Sequence, residues 1–117
     1  MVDTISIGQK GEQVALDYLA SQDHKIIAKN YRYKKVGEID LVTRFKNTIH
    51  FIEVKTRKNS NYGYPHEAVI YSKLKKIIRT AEIFRDQNNL QNINYQFDIV
   101  SITLDDNKIE YYENITL

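Results

Sequence analysis

Acidic and basic side chains interrupt two neighbouring apolar segments in the middle of the sequence. Glu38 and Asp40 stand in the first segment, and Glu53 and Lys55 stand in the second. Carboxylate oxygens are the ligands that a hard cation such as Mg²⁺ prefers, and an ammonium group suits a phosphate oxygen. The chemistry that these residue types favour is therefore a metal-assisted reaction at a phosphate.

The two segments have the pattern of a β-hairpin. Residues 37–45 and 48–57 alternate apolar and polar side chains on either side of a short polar break, Lys46-Asn47. A two-residue turn at that break fixes which residues oppose each other across the hairpin. One apolar face is then predicted from four residues: Ile39, Leu41, Ile52 and Val54.

On the other face of this hairpin the charged residues meet. The same pairing puts Asp40 directly opposite Glu53, and Glu38 opposite Lys55. Opposed Cβ atoms lie about 5 Å apart in such a ladder, and like charges there are destabilising. A divalent cation would compensate for the two carboxylates. A plain salt-bridge cluster, in which Lys55 and Arg57 satisfy the acids, would do so as well, and the pattern alone leaves both open.

The remaining segments predict the elements that must position this hairpin. Ser6 is placed to cap a helix that runs to about Ser21, and Pro65 to begin a second helix that runs to about Asn89. Further strands are predicted at residues 25–33, 97–104 and 108–115. The second helix makes a βαβ crossover, which predicts parallel pairing of the strands on either side of it. The expected fold is α/β, with a mixed sheet flanked by helices.

The spacing of Asp40 and Glu53-Val54-Lys55 resembles the PD-(D/E)xK core of restriction-endonuclease-like nucleases, with Ile39 in place of the Pro of that pattern. More closely, the chain resembles the YraN-like family of small bacterial proteins, which are predicted endonucleases. The similar residues follow the family order through most of the chain: Gly8, Gly11-Glu12, Ala15, Asn30-Tyr31-Arg32, Gly37 to Leu41, Phe51 to Arg57, Gly63, Ala68-Val69, Lys73 and Phe97 to Val100. The resemblance implies a restriction-endonuclease-like fold with the element order αβββαββ.

The resemblance also implies roles for individual residues. Asp40 and Glu53 would bind Mg²⁺ or Mn²⁺, with the Val54 carbonyl as a third ligand. Lys55 would orient the attacking water or stabilise the charged transition state. Glu12 would reach the site from the first helix, as the corresponding Glu does in related junction-resolving nucleases. Alternatively, Glu12 is an acid in the N-terminal part of a helix, where the helix dipole favours it.

Basic residues near the hairpin predict contacts with a nucleic acid. Arg57 and Lys58 extend the second hairpin strand, and Lys73 matches the family pattern in the second helix. Such side chains bind phosphates and give affinity without reading the base sequence. Alternatively, each of them is an ordinary solvated surface charge. The expected partner is DNA, with structured or branched DNA as one substrate class.

The composition sets limits on the other function classes. A chain of 117 residues is expected to form a single domain, 1–117, and its formal net charge of +2 is a weak signal for a polyanion partner. It has no cysteine, which excludes disulfides and thiol chemistry. Neither a secretory signal nor an apolar run of about 18 residues is present, so we expect a cytoplasmic protein without membrane contact.

Two other function classes remain open from the sequence. The chain could be a non-catalytic nucleic-acid-binding module that retains the nuclease fold, or a protein-interaction scaffold whose acids are only salt-bridged. A homodimer would suit the cutting of both DNA strands, although no coiled-coil pattern demands one.

Overall fold

The computed structural model of the protein describes residues 6–59 and 71–115. These residues form the elements α1 (Ile7–Ser21), β1 (Lys25–Tyr33), β2 (Gly37–Phe45), β3 (Thr48–Arg57), α2 (Tyr71–Gln87), β4 (Asn94–Thr103) and β5 (Lys108–Tyr112). The five strands make one sheet in the order β1-β2-β3-β4-β5. The pairing of β3 with β4 is parallel and the other three pairings are antiparallel. The predicted α/β fold with a mixed sheet is confirmed, in an order consistent with restriction-endonuclease-like proteins.

Helix α1 begins at a capping box. The Ser6 hydroxyl oxygen accepts the Gln9 N–H at 3.1 Å, and the Gln9 side chain accepts the Ser6 N–H at 3.0 Å. This exchange satisfies two donors at the helix start and confirms Ser6 as the predicted cap. Gly11, Ala15 and Leu19 are buried at four-residue intervals, so one face of the helix packs on the sheet.

The sheet buries an apolar cluster on each face. The cluster under α1 contains Ala15, Leu19, Leu41, Ile52, Val54, Val100 and Ile102. The cluster under α2 contains Ile39, Val42, Ile49, Phe51, Ile77, Ala81 and Phe84. Burial on both faces places β3 between the two helices, as is usual for a central strand of an α/β sheet.

The hairpin of β2 and β3 has the predicted register from the Phe45–Thr48 pair to the Leu41–Ile52 pair. The predicted pairs of Asp40 with Glu53 and of Glu38 with Lys55 lie beyond the paired residues. Leu41 pairs with Ile52, as expected from the alternating pattern. Leu41, Ile52 and Val54 pack under α1, but Ile39 packs with the cluster under α2. The prediction that these four residues form one apolar face is therefore wrong at Ile39. The alternation of the two faces breaks at Asp40. This residue precedes Leu41 in the chain and lies just beyond the last regular pair of the hairpin.

The elements after the hairpin confirm the predicted crossover but differ in their limits. β3 and β4 are parallel, and β4 begins at Asn94 rather than at residue 97 because Asn94 already pairs with Thr48. Helix α2 ends at Gln87, and its predicted start at Pro65 lies outside the described residues. Over the described part of the chain, no helix is long and apolar enough to cross a membrane.

Candidate active site

Asp40 stands where the regular pairing of β2 with β3 ends. The last pair of the ladder at this end joins Leu41 and Ile52. Beyond it, the main-chain N–H of Val54 donates a hydrogen bond to Asp40 Oδ2 at 2.8 Å. Since the carboxylate of Asp40 takes a main-chain donor of β3, it is tied to the strand that carries Glu53.

The structure brings Asp40 and Glu53 into one cleft. This cleft has a volume of about 280 Å³ and opens between the start of β2 and α2. Its lining residues are Gly37, Glu38, Asp40, Glu53, Lys73, Lys76 and Ile77. The two hairpin acids therefore face a common space that is large enough for several water molecules or a phosphate group.

The cleft raises the pKa of Asp40. The pKa rises from 3.8 to about 7, first because the carboxyl is buried and second because Glu53 is a negative neighbour. The Val54 N–H favours the ionised form, whereas the more remote charges of Glu12 and Glu38 disfavour it. A positive charge among these groups opposes this rise, because it stabilises the ionised carboxylate.

Lys73 of α2 supplies one such charge. Its Nζ lies 2.7 Å from Glu53 Oε1, and the Glu53 side chain is only 11% exposed. Burial alone would lower the pKa of Lys73, but the hydrogen bonds with Glu53 and Lys55 and the charges of Glu53 and Asp40 raise it on balance. The structure thus places Lys73 against the carboxylates, in the lining of the cleft.

Lys55 lies on β3 beside the same groups and is half-buried. Its pKa is lowered, first by burial and then by a hydrogen bond with Lys73 and the positive charge of that residue. The charges of Glu53 and Asp40 oppose this shift. A lysine in this position gives up its proton more readily than an exposed one, so its amine can accept a proton or donate to an anion.

The predicted salt-bridge cluster takes a different form in the structure. Among residues 6–59 and 71–115, no ion pair joins Glu38 to Lys55, although Glu38 lines the cleft and is exposed. The ion pair at the acids is instead Lys73 with Glu53. The partner of Glu53 therefore comes from α2 and not from the hairpin itself.

Glu12 approaches the acids from α1 without lining their cleft. Its pKa is raised, first by burial and also by the charges of Glu38 and Glu53, while a hydrogen bond with Asn30 lowers it. The side chain lines a separate cleft of about 110 Å³ together with Asn30. Glu12 thus adds negative charge near Glu53, but it lies outside the cleft that Asp40 lines.

A close approach of α1 to β3 places Glu12 there. A Cβ atom on Gly11 would lie 1.7 Å from Thr56 Oγ1, a distance that no side chain could keep. Only glycine allows this contact, since it has no Cβ atom. Because Glu12 follows Gly11 and Lys55 precedes Thr56, the contact sets the distance between α1 and the functional end of β3.

Arg57 and Lys58, which the sequence predicts as nucleic-acid contacts, continue β3 past these groups. The Nε of Arg57 donates to Thr103 Oγ1 at 3.3 Å, which fixes the side chain against β4. Lys58 is exposed, and its carbonyl accepts the Asp105 N–H at 3.0 Å. Neither side chain lines the cleft, so any contact with a nucleic acid would be made beside it.

The donor set of the cleft fits a hard divalent cation. Asp40 and Glu53 offer carboxylate oxygens, and Val54, which follows Glu53 in the chain and bonds Asp40 through its N–H, would offer its carbonyl. Two carboxylates with a carbonyl suit Mg²⁺ or Mn²⁺, which complete their coordination with water and phosphate oxygens. The pKa of Asp40 is raised first by burial and then by the charge of Glu53, and a bound cation would oppose both effects.

A second group of potential ligands is less suitable. His50, Asp98 and Glu113 place donor atoms within 4.8 Å of one another. The Asp98 carboxylate, however, already accepts hydrogen bonds from His50 at 2.6 Å, from Gln96 and the Asn114 N–H at 2.9 Å each, and from the Tyr111 hydroxyl. With its lone pairs used in this way, Asp98 is a structural group rather than a metal ligand.

Sequence reasoning missed two residues that lie near the acids, one bonded to Glu12 and the other in the lining of the cleft. Asn30 holds Glu12 by a hydrogen bond and has a left-handed backbone, with φ of 51°. An Asn inside a strand is the signal that could have marked it, because Asn tolerates this conformation better than other side chains. Lys76 lines the cleft one helical turn after Lys73, a spacing that puts both on one side of α2.

Comparison with known proteins gives a consistent result over most of the chain. The family model described as Uncharacterised protein family UPF0102 matches residues 11–102. This range includes every residue that the sequence predicts for the site, from Glu12 to Lys73.

Individual relatives cover nearly the same length. A UPF0102 protein of Chloroherpeton thalassium is 44% identical over 92% of this chain and 83% of its own. One from Clostridioides difficile is 43% identical over 92% of this chain and 93% of its own. Another, from a Sulfurihydrogenibium species, is 40% identical over 97% of this chain and 96% of its own.

Proposed function

This chain belongs to Uncharacterised protein family UPF0102, and we propose that it is a divalent-metal-dependent nuclease that hydrolyses phosphodiester bonds in DNA. The resemblance to the YraN-like family is confirmed at the level of the family, and the nuclease activity is our proposal. One observation carries it: Asp40 and Glu53 share a cleft with the ammonium group of Lys73 and lie beside Lys55. Phosphodiester hydrolysis needs this combination of an anionic cation site and positive groups for the phosphate.

Asp40, Glu53 and the Val54 carbonyl would hold the metal, either Mg²⁺ or Mn²⁺. When bound, such an ion polarises the phosphoryl oxygen and lowers the pKa of a water molecule. The Val54 N–H fixes Asp40 Oδ2 at 2.8 Å, so the carboxylate is oriented before anything binds. Preorganised ligands of this kind avoid a rearrangement at the moment of reaction.

Lys55 would act on the reacting groups from β3. Its lowered pKa lets the amine take the proton of an attacking water, or, as ammonium, donate to the transition-state oxygens. Both roles require a position next to the metal ligands, and its neighbours Glu53 and Asp40 meet that requirement. Glu12 would assist through a water molecule from the α1 side, because its carboxyl lies outside the cleft.

The DNA would extend from the cleft along the basic end of β3. Arg57 is anchored to Thr103 and Lys58 is exposed, so both can meet a phosphate backbone without rearrangement of the sheet. Contacts of this type give affinity that falls with salt and carry no sequence information. The proposed substrate is therefore chosen by shape, and structured or branched DNA is included in the proposal.

A cleavage assay tests the proposal. Purified protein is incubated with linear, flap and junction DNA in the presence of Mg²⁺, Mn²⁺ or EDTA. We expect metal-dependent cutting that falls by about 10²-fold or more in Asp40→Ala and Glu53→Gln. Asp105→Asn removes an exposed acid of the β4–β5 turn and serves as the control that keeps activity. Equal cutting by Asp40→Ala would identify a contaminant and refute the proposal.

The second candidate is a non-catalytic nucleic-acid-binding module. The Lys73–Glu53 ion pair favours it, because a neutralised Glu53 needs no metal for its charge. This candidate predicts DNA binding that weakens with salt and no metal-dependent cutting of any substrate. Binding that requires both Glu53 and a divalent cation would exclude it.

A further inference from the structure

The ammonium group of Lys73 occupies an oxygen that the proposed metal would use. Its Nζ is 2.7 Å from Glu53 Oε1, within ordinary charge-assisted hydrogen-bonding distance. The Glu53 side chain is nearly enclosed at 11% exposed, whereas the Lys73 side chain is 42% exposed. The Glu53 side chain is therefore held within the sheet, whereas the Lys73 side chain has room to move toward solvent.

The two lysines of the site are also close to each other. Lys73 is ion-paired with Glu53 at 2.7 Å and lies close enough to Lys55 to influence its charge, so it stands between an acid that attracts it and a second lysine that repels it. A divalent cation would attract Glu53 with twice the charge of an ammonium group. The metal would therefore compete with Lys73 for Glu53 through its higher charge.

We propose that Lys73 holds the place of the metal on Glu53 and exchanges with it, so that metal binding releases the ammonium group to a phosphate of the DNA. This inference rests on the proposed nuclease function and assigns Lys73 a regulatory role within it. The released side chain stays within the lining of the cleft, since α2 fixes its Cα atom. Metal and DNA would then bind with positive coupling through one residue, and linkage requires that each increases the affinity of the other.

The test measures Mn²⁺ affinity without DNA, by calorimetry, in Lys73→Met and in the wild type. Loss of the competing ammonium should tighten Mn²⁺ binding by about tenfold. Lys76→Met is the matched control, because Lys76 lines the same cleft one helical turn away and carries the same charge. That variant should change the affinity by no more than about twofold, since only the general field is altered.

A second measurement separates exchange from a simple phosphate contact. DNA binding by Lys73→Met in the presence of Mn²⁺ should weaken, and the increase in Mn²⁺ affinity that DNA causes should shrink. A plain phosphate contact would weaken DNA binding but leave Mn²⁺ affinity unchanged, which would overturn the exchange. Far-ultraviolet circular dichroism of each variant establishes that the fold is kept.

The outcomes distinguish this inference from the function on which it rests. If the wild type binds Mn²⁺ and cuts DNA, but Lys73→Met and Lys76→Met show equal Mn²⁺ affinity, only the exchange is refuted. If the wild type neither binds Mn²⁺ nor cuts any substrate, the nuclease proposal fails and the exchange fails with it.

Discussion

The carboxylate of Asp40 and the main chain of Val54 are joined by a hydrogen bond of 2.8 Å that runs from the Val54 N–H to Asp40 Oδ2. This bond lies just past the last regular pair of β2 and β3. A side-chain oxygen therefore accepts the Val54 N–H in place of a main-chain carbonyl of the neighbouring strand. It holds the acid close to β3 and uses only the Oδ2 atom of the carboxylate. The arrangement orients Asp40 but buries it beside Glu53. The free energy of unfolding of the protein should therefore depend on pH.

Replacing Asp40 with Asn should stabilise the protein in EDTA at pH 8 but not at pH 4. The folded-state pKa of about 7 lies above the ordinary 3.8, so the free energy of unfolding falls as the pH rises between these values. Asn stays neutral and can still accept the Val54 N–H. We expect a gain of about 2 kcal/mol at pH 8, measured by urea unfolding.

The exposed acid Asp105 provides the comparison for this effect. Asp105→Asn should leave the free energy of unfolding within about 0.5 kcal/mol of the wild type at both pH values. A gain in Asp40→Asn of equal size at pH 4 and pH 8 would show that ionisation of Asp40 is not its cause.

Mn²⁺ binding should weaken as the pH falls below 7. A carboxylate must lose its proton before it can bind a cation, and the pKa of Asp40 is about 7. The affinity should drop by up to about tenfold for each pH unit below that value. Calorimetry in buffers of different ionisation enthalpy would detect the released proton. A flat affinity between pH 5 and pH 8 would contradict the assignment of Asp40 as a ligand.

Tyr111→Phe should destabilise the protein at neutral pH. Burial alone would raise the pKa of Asp98, but hydrogen bonds from His50, Tyr111, Asn114 and Gln96 lower it on balance. A carboxylate with a depressed pKa contributes stability above its ordinary value of 3.8, and this contribution is lost as the pH falls through the folded-state pKa. Loss of one donor should reduce the free energy of unfolding by about 2 kcal/mol at pH 7, and by less at pH 3.

The adjacent tyrosine of β5 is a suitable control. The Tyr112 hydroxyl donates to Glu110 Oε2 at 2.9 Å, where the acid is only half-buried. Tyr112→Phe should therefore cost no more than about 0.5 kcal/mol. Equal losses in the two variants would mean that burial of the acceptor does not matter at this end of the sheet.

Gly11→Ala should disturb the packing of α1, whereas Gly8→Ala should not. A Cβ on Gly11 meets Thr56 Oγ1 at 1.7 Å, but one on Gly8 meets only Ser6 Oγ at 3.9 Å. We expect Gly11→Ala to reduce the free energy of unfolding by about 2 kcal/mol or more. Gly8→Ala should raise it by up to about 1 kcal/mol, because alanine favours a helix. Thermal unfolding of both variants is the measurement, and equal shifts would refute the close contact.

Alternation predicted the hairpin well because a buried strand must separate its apolar and polar faces. Ser6 and the parallel crossover were also predictable, since a cap and a connecting helix have local signatures. The break at Asp40 was not, because a side chain that replaces a ladder bond leaves no periodic pattern. Ile39, next to this break, packs toward α2, against the prediction.

The contacts between distant elements were the least predictable part of the candidate site. The pairing of Lys73 with Glu53 depends on how α2 is rotated above the sheet. His50 and Asp98 were not grouped, because parallel pairing of β3 with β4 is what brings them together. Residue types marked the acids of the hairpin, but only the packing of the helices identifies their partners.

The connectivity of β3 has a consequence for the rate of folding. β2 and β3 are joined by a tight turn and close a short loop, whereas β3 meets β4 only after α2 has crossed the sheet. Local contacts form faster than distant ones, so we expect the hairpin to form first. At that stage Asp40 and Glu53 approach each other before Lys73 arrives to pair with Glu53. Repulsion between the two acids would then slow the nucleation of the fold, and refolding should accelerate at a pH low enough to protonate Asp40.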